Sequence, residues 1–507
     1  MKQTKRILSF VFALLMLVGA LAACGNGKGP SVQTEPRTVT AGDDNPYDAN
    51  GYIKTSLPIG QLNYGNTEIN IYVAEELMGV PMFDTLDASM DIVDQATYKS
   101  DEQVKADLGV TFVMSVEPSN EFYSIDPLVQ KIERQVMSGS RDVEMISFYL
   151  RKQGMVMING LLYDLTAIEG SYIDYDKPWW PNALINSSTI GDSLYYVGGD
   201  ISNSYLYNIW AMFYNINMVN NYQLEAPTDL VMDGQWTLEK FMEMSRNIRT
   251  GDNLEDGAGV YGYTCVRYDL DAFFFGSGLN VLNYDETENR VLLSADYFGE
   301  KAIDLVDTVA KYLKETDVYL ENDTASHFTD PTRRDRPIFN AGRALFHTDV
   351  LTDAKNLNSE NATFKWGVLP IPKYNAQQQG YISTCRPGTN RVWSIVSNET
   401  EERALMCTAV LEDLGSEGYR RITPAVFEIC MKLRYSVDEI NSKMFDYIRS
   451  DVMFDLGQSI SLPTSSYLYQ APAIWMASAK SWKTKGAVSQ KSFQATADEA
   501  FEKLLEK

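Results

Sequence analysis

The sequence contains little histidine and few basic residues, and each shortage excludes a class of protein. Its 507 residues include two histidines, His327 and His347, so a histidine-dependent mechanism would have to use one of them. The 44 Lys and Arg residues are outnumbered by 68 Asp and Glu residues, which gives a net charge of −24. Because a phosphate backbone would repel so acidic a chain, we expect no nucleic-acid partner.

Cysteine is also scarce, with five residues in the whole chain. Neither a CxxC pair nor a cysteine–histidine pair occurs, so the spacing predicts no zinc site, and we expect no metal and no cofactor. The sequence leaves open whether the later thiols form one or two disulfides or stay isolated and buried. These later thiols are Cys265, Cys385, Cys407 and Cys430.

Long hydrophobic runs are missing as well. The apolar run Ile7–Val18 has 12 residues, whereas a membrane-spanning helix needs about 20. Basic residues precede the run, so residues 1–23 are predicted to be a secretory signal peptide. The segment Leu21–Cys24 (LAAC) resembles the bacterial lipobox, in which the cysteine thiol receives a diacylglyceryl group. We therefore predict that Cys24 carries a lipid that anchors the chain at the outer face of the cytoplasmic membrane in a Gram-positive type of cell.

Residues 24–62 are predicted to form a flexible, lipid-anchored tether. The stretch is rich in Gly, Pro, Asp, Asn and Thr and shows no apolar periodicity. The chain as a whole is 45% hydrophobic and 12% aromatic, which is typical of a globular protein. A body of this length suits two or three domains, or two large lobes that each bury a core.

Strand and helix patterns alternate in the first half of the body. The predicted elements there are strands at 68–73, 110–116 and 143–149 and helices at 91–108 and 126–138. This alternation favours a mainly parallel sheet with helices on both faces, in which ligands bind beyond the carboxyl ends of the strands.

The later elements are less regular, and the C-terminal region is predicted to be mostly helical. The predicted elements are a hairpin strand at 191–197, strands at 210–215, 365–369 and 391–396, and helices at 237–248 and 400–414.

Several short phrases occur along the chain in an order that resembles one family. They are Asp174–Trp180 (DYDKPWW), Gly198–Ser202 (GGDIS), Phe213–Asn215 (FYN), Gly234–Lys240 (GQWTLEK), Phe339–Phe346 (FNAGRALF), Trp366–Tyr374 (WGVLPIPKY) and Arg421–Pro424 (RITP). Together with the lipobox, they resemble the extracellular solute-binding proteins of ABC importers, family 1, which is the group of the maltose-binding protein. The chain is most similar to the lipoprotein members common in clostridia-type Gram-positive bacteria. Their shared order, and no single phrase, carries the resemblance.

The resemblance implies an α/β fold of the type II periplasmic-binding-protein class, with two lobes, three interlobe crossovers and a helical C-terminal region. The crossovers are expected near 200–207, 361–366 and 396–400. Lobe one would comprise 63–204 plus 366–396, and lobe two would comprise 205–365 plus 397–507. The two lobes would close on a ligand like a hinged clamp.

The resemblance also implies partners and a role. The closed form would deliver its ligand to the permease subunits of an ABC transporter, and the chain itself would be a monomer without enzymatic activity. The P-loop signature G-x-x-x-x-G-K-[ST] is missing, so the chain does not hydrolyse ATP through that motif.

Sugar recognition needs aromatic faces for the apolar side of a pyranose, and polar groups for its hydroxyls. The chain contains 30 Tyr, 8 Trp and 21 Phe together with its surplus of acid, so we expect an oligosaccharide ligand. The candidate contacts, chosen at strand ends and crossovers, are Glu75, Glu76, Tyr149, Asp200, Tyr205, Tyr207, Trp210, Phe274, Phe275, Asp349, Arg391 and Trp393.

These candidates have alternative roles that the sequence leaves open. Glu75 and Glu76 would otherwise face water, and Asp200 would cap a turn through an Asx hydrogen bond. Trp210 and Trp393 alternate with apolar residues, so both would otherwise be core.

Two further features resemble a catalytic pair and a metal-binding loop, but neither is expected to act as one. His347 stands near Asp349 as a catalytic pair would, but the resemblance places both in the floor of lobe two, and we expect no catalytic residue. The loop 252–257 falls where relatives often carry a calcium-type loop. Its third position is Leu254 instead of an oxygen donor, so no metal is expected there.

Other functions remain open from the residues alone. Carboxylate pairs and aromatic rings would also suit an extracellular polysaccharide-degrading enzyme. The same fold could serve as a ligand sensor, or could bind a peptide or polyamine through cation–π contacts. Collinearity with a non-enzymatic transport family favours carbohydrate capture over these alternatives.

Overall fold

The computed structural model describes residues 45–74, 91–117, 126–248, 259–321, 334–359, 362–459, 468–478 and 480–505. The candidates Glu75 and Glu76 lie outside the described residues, as do Cys24, His327 and the loop 252–257. The folded body comprises Pro46–Asp48 and Tyr52–Lys507. No helix within the described ranges combines the length and hydropathy needed to cross a bilayer.

Strands and helices alternate through most of the body. The strands are β1 (Thr67–Ala74), β2 (Val110–Glu117), β3 (Met145–Tyr149), β4 (Trp210–Asn215), β5 (Tyr261–Val266), β6 (Leu282–Asp285), β7 (Arg290–Leu293), β8 (Val318–Glu321), β9 (Ala344–Val350), β10 (Trp366–Leu369), β11 (Ser383–Thr384), β12 (Arg391–Ile395) and β13 (Val452–Met453). The α-helices are α1 (Ile92–Leu108), α2 (Asp126–Ser138), α3 (Leu150–Ile158), α4 (Asn182–Ser188), α5 (Asn203–Tyr207), α6 (Ile216–Asn221), α7 (Pro227–Met232), α8 (Leu238–Ser245), α9 (Asp271–Gly276), α10 (Glu300–Tyr312), α11 (Asp335–Asn340), α12 (Thr352–Ser359), α13 (Glu401–Glu417), α14 (Glu439–Ser450), α15 (Ala471–Ser478) and α16 (Trp482–Leu505). Wider π-helical turns over Gly418–Ile422 and Pro424–Tyr435 follow α13.

The first sheet has four strands in the order β12-β3-β1-β2. Strand β1 is parallel to β2 and β3, whereas β12 is antiparallel to β3. Helix α1 lies between β1 and β2 in the chain, and its caps fix its ends. The Asp91 carboxylate accepts hydrogen bonds from the Val93 and Asp94 amides, and Gly109 ends the helix at a φ of 63°.

The second sheet has five strands in the order β10-β4-β9-β5-β8. Strand β5 is parallel to β8 and β9, and β4 is antiparallel to β9 and β10. Every residue of β4, β5 and β9 is buried, which explains why these strands show no simple alternation of polar and apolar residues. The carboxyl ends of β5 and β9 meet at one edge of this sheet.

Most sequence-predicted elements are confirmed, with shifted ends. The confirmed elements are the strands at 68–73, 110–116, 143–149, 210–215, 365–369 and 391–396, the helices at 91–108, 126–138, 237–248 and 400–414, and the helical C-terminal region. Threonine caps fix two helix starts, because the hydroxyls of Thr237 and Thr400 accept hydrogen bonds from the Lys240 and Arg403 amides.

The hairpin strand predicted at 191–197 is wrong. This segment, described throughout, forms only isolated bridges, between Ile190 and Ser193 and between Val197 and Trp393. Residues 194–197 are all buried, so the apolar run reflects packing against neighbouring segments and not a pleated strand.

The sheet memberships correct the predicted lobe boundaries at two places. Strand β10 pairs with β4 in the five-stranded sheet, although the sequence interpretation assigned 366–396 to the other lobe. Helix α13, assigned to lobe two within 397–507, shares a hydrophobic core with Ile69 and Ile71 of β1. Periodicity predicts that a segment is a strand or a helix but not which sheet it joins. The remaining boundaries stay a prediction.

A buried carboxylate joins α13 to the aromatic phrase at 174–180. The Glu412 carboxylate accepts hydrogen bonds from the Trp180 indole at 3.1 Å, the Trp179 indole at 3.4 Å and the Asp174 amide at 3.2 Å. Burial raises the pKa of Glu412 to about 7, against the opposing effect of these donors. The phrase is therefore part of the packing between α13 and the first sheet.

The question of disulfides is settled for the body. The four cysteines of the described chain are buried thiols that are not joined in disulfides. They are Cys265, Cys385, Cys407 and Cys430.

Candidate functional site

Charged and aromatic side chains collect at the carboxyl edge of the five-stranded sheet. Strand β5 ends at Val266, and the turn Arg267–Leu270 follows it directly. This turn carries Asp269, and α9 then begins at Asp271. Asp349 lies at the end of β9, so the topology of parallel strands brings these carboxylates to one edge.

Arg386 is the centre of this edge. Its guanidinium pairs with the Asp269 carboxylate and lies 3.4 Å from the Asp349 carboxylate. The same guanidinium lies over two aromatic rings, 4.9 Å from the centroid of Tyr268 and 5.5 Å from that of Trp210. The Trp210 indole donates a 3.2 Å hydrogen bond to Asp269, which fixes the orientation of the ring.

A second arginine neutralises the acids behind this group. Arg336 contacts Asp349 at 2.5 Å and Asp353 at 2.8 Å. His347, Asp349 and Asp353 have the residue types of a metal site, but Arg336 already supplies the positive charge between the two carboxylates. His347 has no exposed surface and stacks on the Phe339 ring at 5.3 Å, so substrate cannot reach a His347–Asp349 pair.

Burial and neighbouring charges set the protonation of this edge. Burial raises the pKa of Asp271 well above its usual value, against the opposing charge of Arg267. The protonated carboxyl is therefore favoured, and it can donate a hydrogen bond as well as accept one. Burial alone would lower the pKa of His347, but the Asp349 hydrogen bond and the charges of Asp335 and Asp353 raise it.

The carboxyl edge of the four-stranded sheet carries cations instead. Arg391 stands opposite Tyr149 in the β12–β3 pair, and its guanidinium lies 5.4 Å from the centroid of that ring. Arg151 and Lys152 follow in the first turn of α3, and both are buried. One edge is therefore rich in cations, whereas the other combines carboxylates with arginines.

One chain segment, 386–390, contacts both edges. The Arg386 side chain reaches the five-stranded sheet as described above. The carbonyls of Pro387 and Asn390 accept hydrogen bonds from the Arg151 and Leu150 amides at the other sheet. The two edges therefore lie within the span of a five-residue crossover.

A second crossover runs beside this one. The Arg386 amide donates to the Asn208 carbonyl at 2.9 Å, and the Thr389 hydroxyl donates to the Asn208 side-chain oxygen at 2.7 Å. Ile209 and Cys385 form a backbone bridge next to these contacts. Segments 208–209 and 385–389 are thus hydrogen-bonded side by side where the chain passes between the two sheets.

The structure brings four of the sequence-predicted candidates into the two edges. Trp210 and Asp349 meet through Arg386, and Tyr149 and Arg391 are cross-strand neighbours. Their role as ligand contacts stays a prediction.

Three other candidates lie at the crossovers and are buried. Asp200 pairs with Arg449 at 3.3 Å, and burial raises the pKa of Asp200 against that opposing charge. Tyr205 stacks on Phe454 with ring centroids 6.2 Å apart. The Tyr207 carbonyl accepts a hydrogen bond from Thr352, and its ring is enclosed.

The remaining described candidates pack away from the charged edges. Phe274 and Phe275 contact each other at 5.4 Å, and Phe274 also packs against Tyr297. The Trp393 indole donates to the Ser202 hydroxyl at 3.0 Å inside the core that contains α13.

Sequence reasoning missed Arg386, Tyr268 and Asp269. Tyr268 and Asp269 stand two and three residues after Val266, the end of a strand that periodicity did not predict, so their place at a strand end was hidden. Arg386 stands before Pro387 in a segment that precedes the predicted strand at 391–396, and that position was an available signal. Arg151 also follows a predicted strand and could have been found in the same way.

Sequence comparison gives no relative, because no family model and no curated protein matches the chain. Solved structures do resemble it. A cyclo/maltodextrin-binding protein complexed with maltotetraose has a TM-score of 0.53 at 12% identity, over 87% of this chain and 98% of that one. A sugar transporter from Rhizobium etli in an open conformation has a TM-score of 0.53 at 14% identity, over 84% and 99%.

A third solved structure extends the same pattern. The GacH receptor of Streptomyces glaucescens GLA.O, studied without ligand and with acarbose, has a TM-score of 0.50 at 13% identity, over 87% of this chain and 99% of that one. At such identities the likeness concerns the fold. The chain has the expected two-lobed α/β fold of the type II periplasmic-binding class.

Proposed function

We propose that the chain is an extracellular solute-binding protein that captures an oligosaccharide between the two charged sheet edges and delivers it to an ABC transporter permease. The observation that carries this proposal is the stack of Tyr268, Arg386 and Trp210 beside paired carboxylates. Tyr268 is half-buried and offers part of its ring to a sugar, while the buried Trp210 and Asp269 hold Arg386 in place beside it. Similar structures whose names refer to sugars support the same ligand class.

Binding without turnover fits these groups better than hydrolysis. A retaining or inverting glycosidase needs two carboxyl groups on opposite sides of the scissile bond. Here Asp269 and Asp349 both pair with Arg386, which holds them as fixed charges. An arginine pair of this kind favours orientation of a ligand over proton transfer, because the guanidinium stabilises the ionised carboxylates.

Titration calorimetry with linear and cyclic neutral oligosaccharides, followed by chromatography of the recovered ligand, tests the proposal. We expect at least one oligosaccharide to bind and to be recovered unchanged. Recovery of shortened products would instead identify an enzyme. Binding of a polyamine or a peptide, with no response to any glycan, would leave the fold assignment unchanged but would show that the ligand is not a carbohydrate.

Membrane anchoring through Cys24 is part of the same proposal. Two acyl chains on this thiol would hold the protein stably at the membrane surface, with the residues between Cys24 and the folded body as the tether. The predicted tether of 24–62 is too long, because residues 52–62 belong to the folded body and Leu57 is buried in the core that contains α13. Replacing Cys24→Ala should therefore move the chain from the membrane fraction to the medium in a Gram-positive host. A matched Cys430→Ala variant, which alters a thiol of the body, should stay with the membrane.

A further inference from the structure

A second opening in the body shares no lining residue with the two charged edges. It is a crevice with a volume of about 380 Å³. One wall is formed by Asn186, Ser187 and Thr189, from α4 and the residue that follows it. The other wall is formed by Asn283 and Tyr284 of β6.

The two walls belong to different parts of the fold. The chain after α4 joins the four-stranded sheet, because Val197 and Trp393 exchange backbone hydrogen bonds of 2.9 and 2.7 Å. The β6–β7 hairpin is held elsewhere, since Arg290 of β7 pairs with Asp498 of α16. A molecule that contacts both walls would therefore favour the arrangement of the body in which both walls are within reach.

The hydrogen-bonding groups of the crevice are mostly neutral. The Ser187 and Thr189 hydroxyls donate to the carbonyls of Leu184 and Ile185, so their oxygens remain as acceptors. The Tyr284 hydroxyl is used in the same way, because it donates to a neighbouring asparagine at 2.7 Å.

Asparagine side chains add donors to these acceptors. The Asn283 oxygen accepts a 3.2 Å hydrogen bond from Asn280, which leaves the Asn283 amide hydrogens for a ligand. Asn186 is exposed on the facing wall. Amide and hydroxyl groups on facing walls are suited to the hydroxyls of a sugar, each of which donates and accepts a hydrogen bond.

The remaining lining limits the charge and size of the ligand. Among the described residues that line the crevice there is no Lys, Arg or His, whereas there are two carboxyl groups, the exposed Glu286 and the buried Asp455, so an anion would be disfavoured. Phe454 also lines the crevice, but its side chain is buried and its ring stacks on Tyr205, so the polar groups provide the contacts. A volume of about 380 Å³ lies near the lower end of the range of small-molecule sites, roughly 300–1,000 Å³.

We propose that this crevice is a second binding site, for a neutral mono- or disaccharide, separate from the oligosaccharide site between the charged edges. Its contacts are made by Asn186 on one wall and by Asn283 and Tyr284 on the other. The inference does not depend on the function proposed above, because the two sites share no residue.

Ligand-observed NMR on the full chain tests this site, with glucose, galactose, mannose, maltose, cellobiose and lactose as probes. We expect at least one of these sugars to bind. A double variant, Asn186→Ala with Asn283→Ala, should weaken that binding at least about tenfold, a change that corresponds to about 1.4 kcal/mol. Both side chains are exposed, so the melting temperature should stay within about two degrees of the parent.

Two control variants decide the outcome. Asn221→Ala removes an exposed asparagine outside the crevice and should bind the sugar as the parent does. Tyr268→Ala alters the first site and should leave the crevice signal unchanged. The inference is overturned if no sugar binds, if the double variant binds like the parent, or if Tyr268→Ala alone removes the signal.

Discussion

Arg386 combines three roles that sequence patterns treat separately. It pairs with Asp269 and Asp349, it lies over the rings of Tyr268 and Trp210, and its backbone belongs to a crossover between the sheets. A buried ion pair contributes little net stability, because desolvation of both charges offsets their attraction. Its value here is that it fixes the positions of aromatic and polar groups that a ligand would contact.

Tyr268 is the best single residue on which to test the proposed site. Its ring lies against Arg386 and is only half-buried, so part of its surface is exposed to a ligand. We expect Tyr268→Ala to weaken oligosaccharide binding by about 1–3 kcal/mol, through lost stacking and buried area. Titration calorimetry measures this change, and Tyr268→Phe should keep most of the affinity.

Tyr222→Ala provides the matched control, because Tyr222, which directly follows α6, is exposed and lines neither site. It should bind like the parent. Equal losses for Tyr222→Ala and Tyr268→Ala would show that the Tyr268 result reports general destabilisation and not ligand contact.

The identities of the site residues were only partly predictable. Trp210, Tyr149 and Arg391 were found because each lies in a segment recognisable as a strand, whereas Asp349 lies at the end of β9, which was not predicted. Tyr268 was missed since the aromatic-rich β5 shows no alternation when both faces are buried. Which side chains stack on one another depends on rotamers and distant chain segments, and no local pattern encodes these.

Helix α13 contains two buried carboxyl groups that make the free energy of unfolding depend on pH. Burial raises the pKa of Glu412 to about 7 and that of Asp413 to about 8. In the unfolded chain both groups would ionise near their ordinary values of about 4. The folded state therefore binds more protons between these limits, so the free energy of unfolding falls as the pH rises from about 4.5 towards 7–8.

Thermal denaturation of Glu412→Gln tests this dependence. The amide keeps an oxygen that accepts from the two tryptophan indoles but cannot ionise. We expect the melting temperature of the parent to fall more between pH 5 and pH 8 than that of Glu412→Gln. Glu402→Gln, an exposed change in the same helix, should keep the parent's pH dependence. If the melting temperatures of all three proteins changed equally with pH, the raised pKa of Glu412 would not be the cause of the dependence.

Helix α3 depends on a glycine for its close approach to a neighbouring segment. A Cβ atom at Gly154 would lie 1.4 Å from the Ser459 carbonyl oxygen, so the backbone would have to move. We expect Gly154→Ala to destabilise the fold by about 1–3 kcal/mol or more, and to weaken ligand binding because α3 carries Arg151 and Lys152.

Gly380→Ala is the control for this change. Its Cβ would meet the nearest atom, an Asp451 carboxylate oxygen, at 4.0 Å, an ordinary contact. Denaturant unfolding should place Gly380→Ala within about 0.5 kcal/mol of the parent. A Gly154→Ala protein as stable as the parent would show that the α3 contact is looser than described.

The elements themselves were largely predictable, because caps and periodicity are local. Asp91, Gly109, Thr237 and Thr400 mark helix ends in the sequence, and the structure places caps or a C-terminal turn at each. The assignment of β10 to the five-stranded sheet could not be predicted in this way. It depends on pairing with β4, which is more than a hundred residues earlier in the chain.

In the described part of the chain, the two larger sheets have their carboxyl edges joined by hydrogen-bonded crossovers. Such a connection lets lobes move about a hinge while their ligand groups stay fixed on rigid strands. If the function proposed above holds, ligand capture stabilises one arrangement of the two lobes. The class of ligand is the point on which this account depends.

A thermal-shift screen of the full chain against neutral oligosaccharides, peptides and polyamines tests that point most directly. A ligand at 100 times its dissociation constant stabilises the bound form by about 2.7 kcal/mol, which raises the melting temperature measurably. We predict that at least one oligosaccharide raises the midpoint and that Tyr268→Ala removes most of the shift. A shift with polyamines or peptides and none with any oligosaccharide would contradict the account.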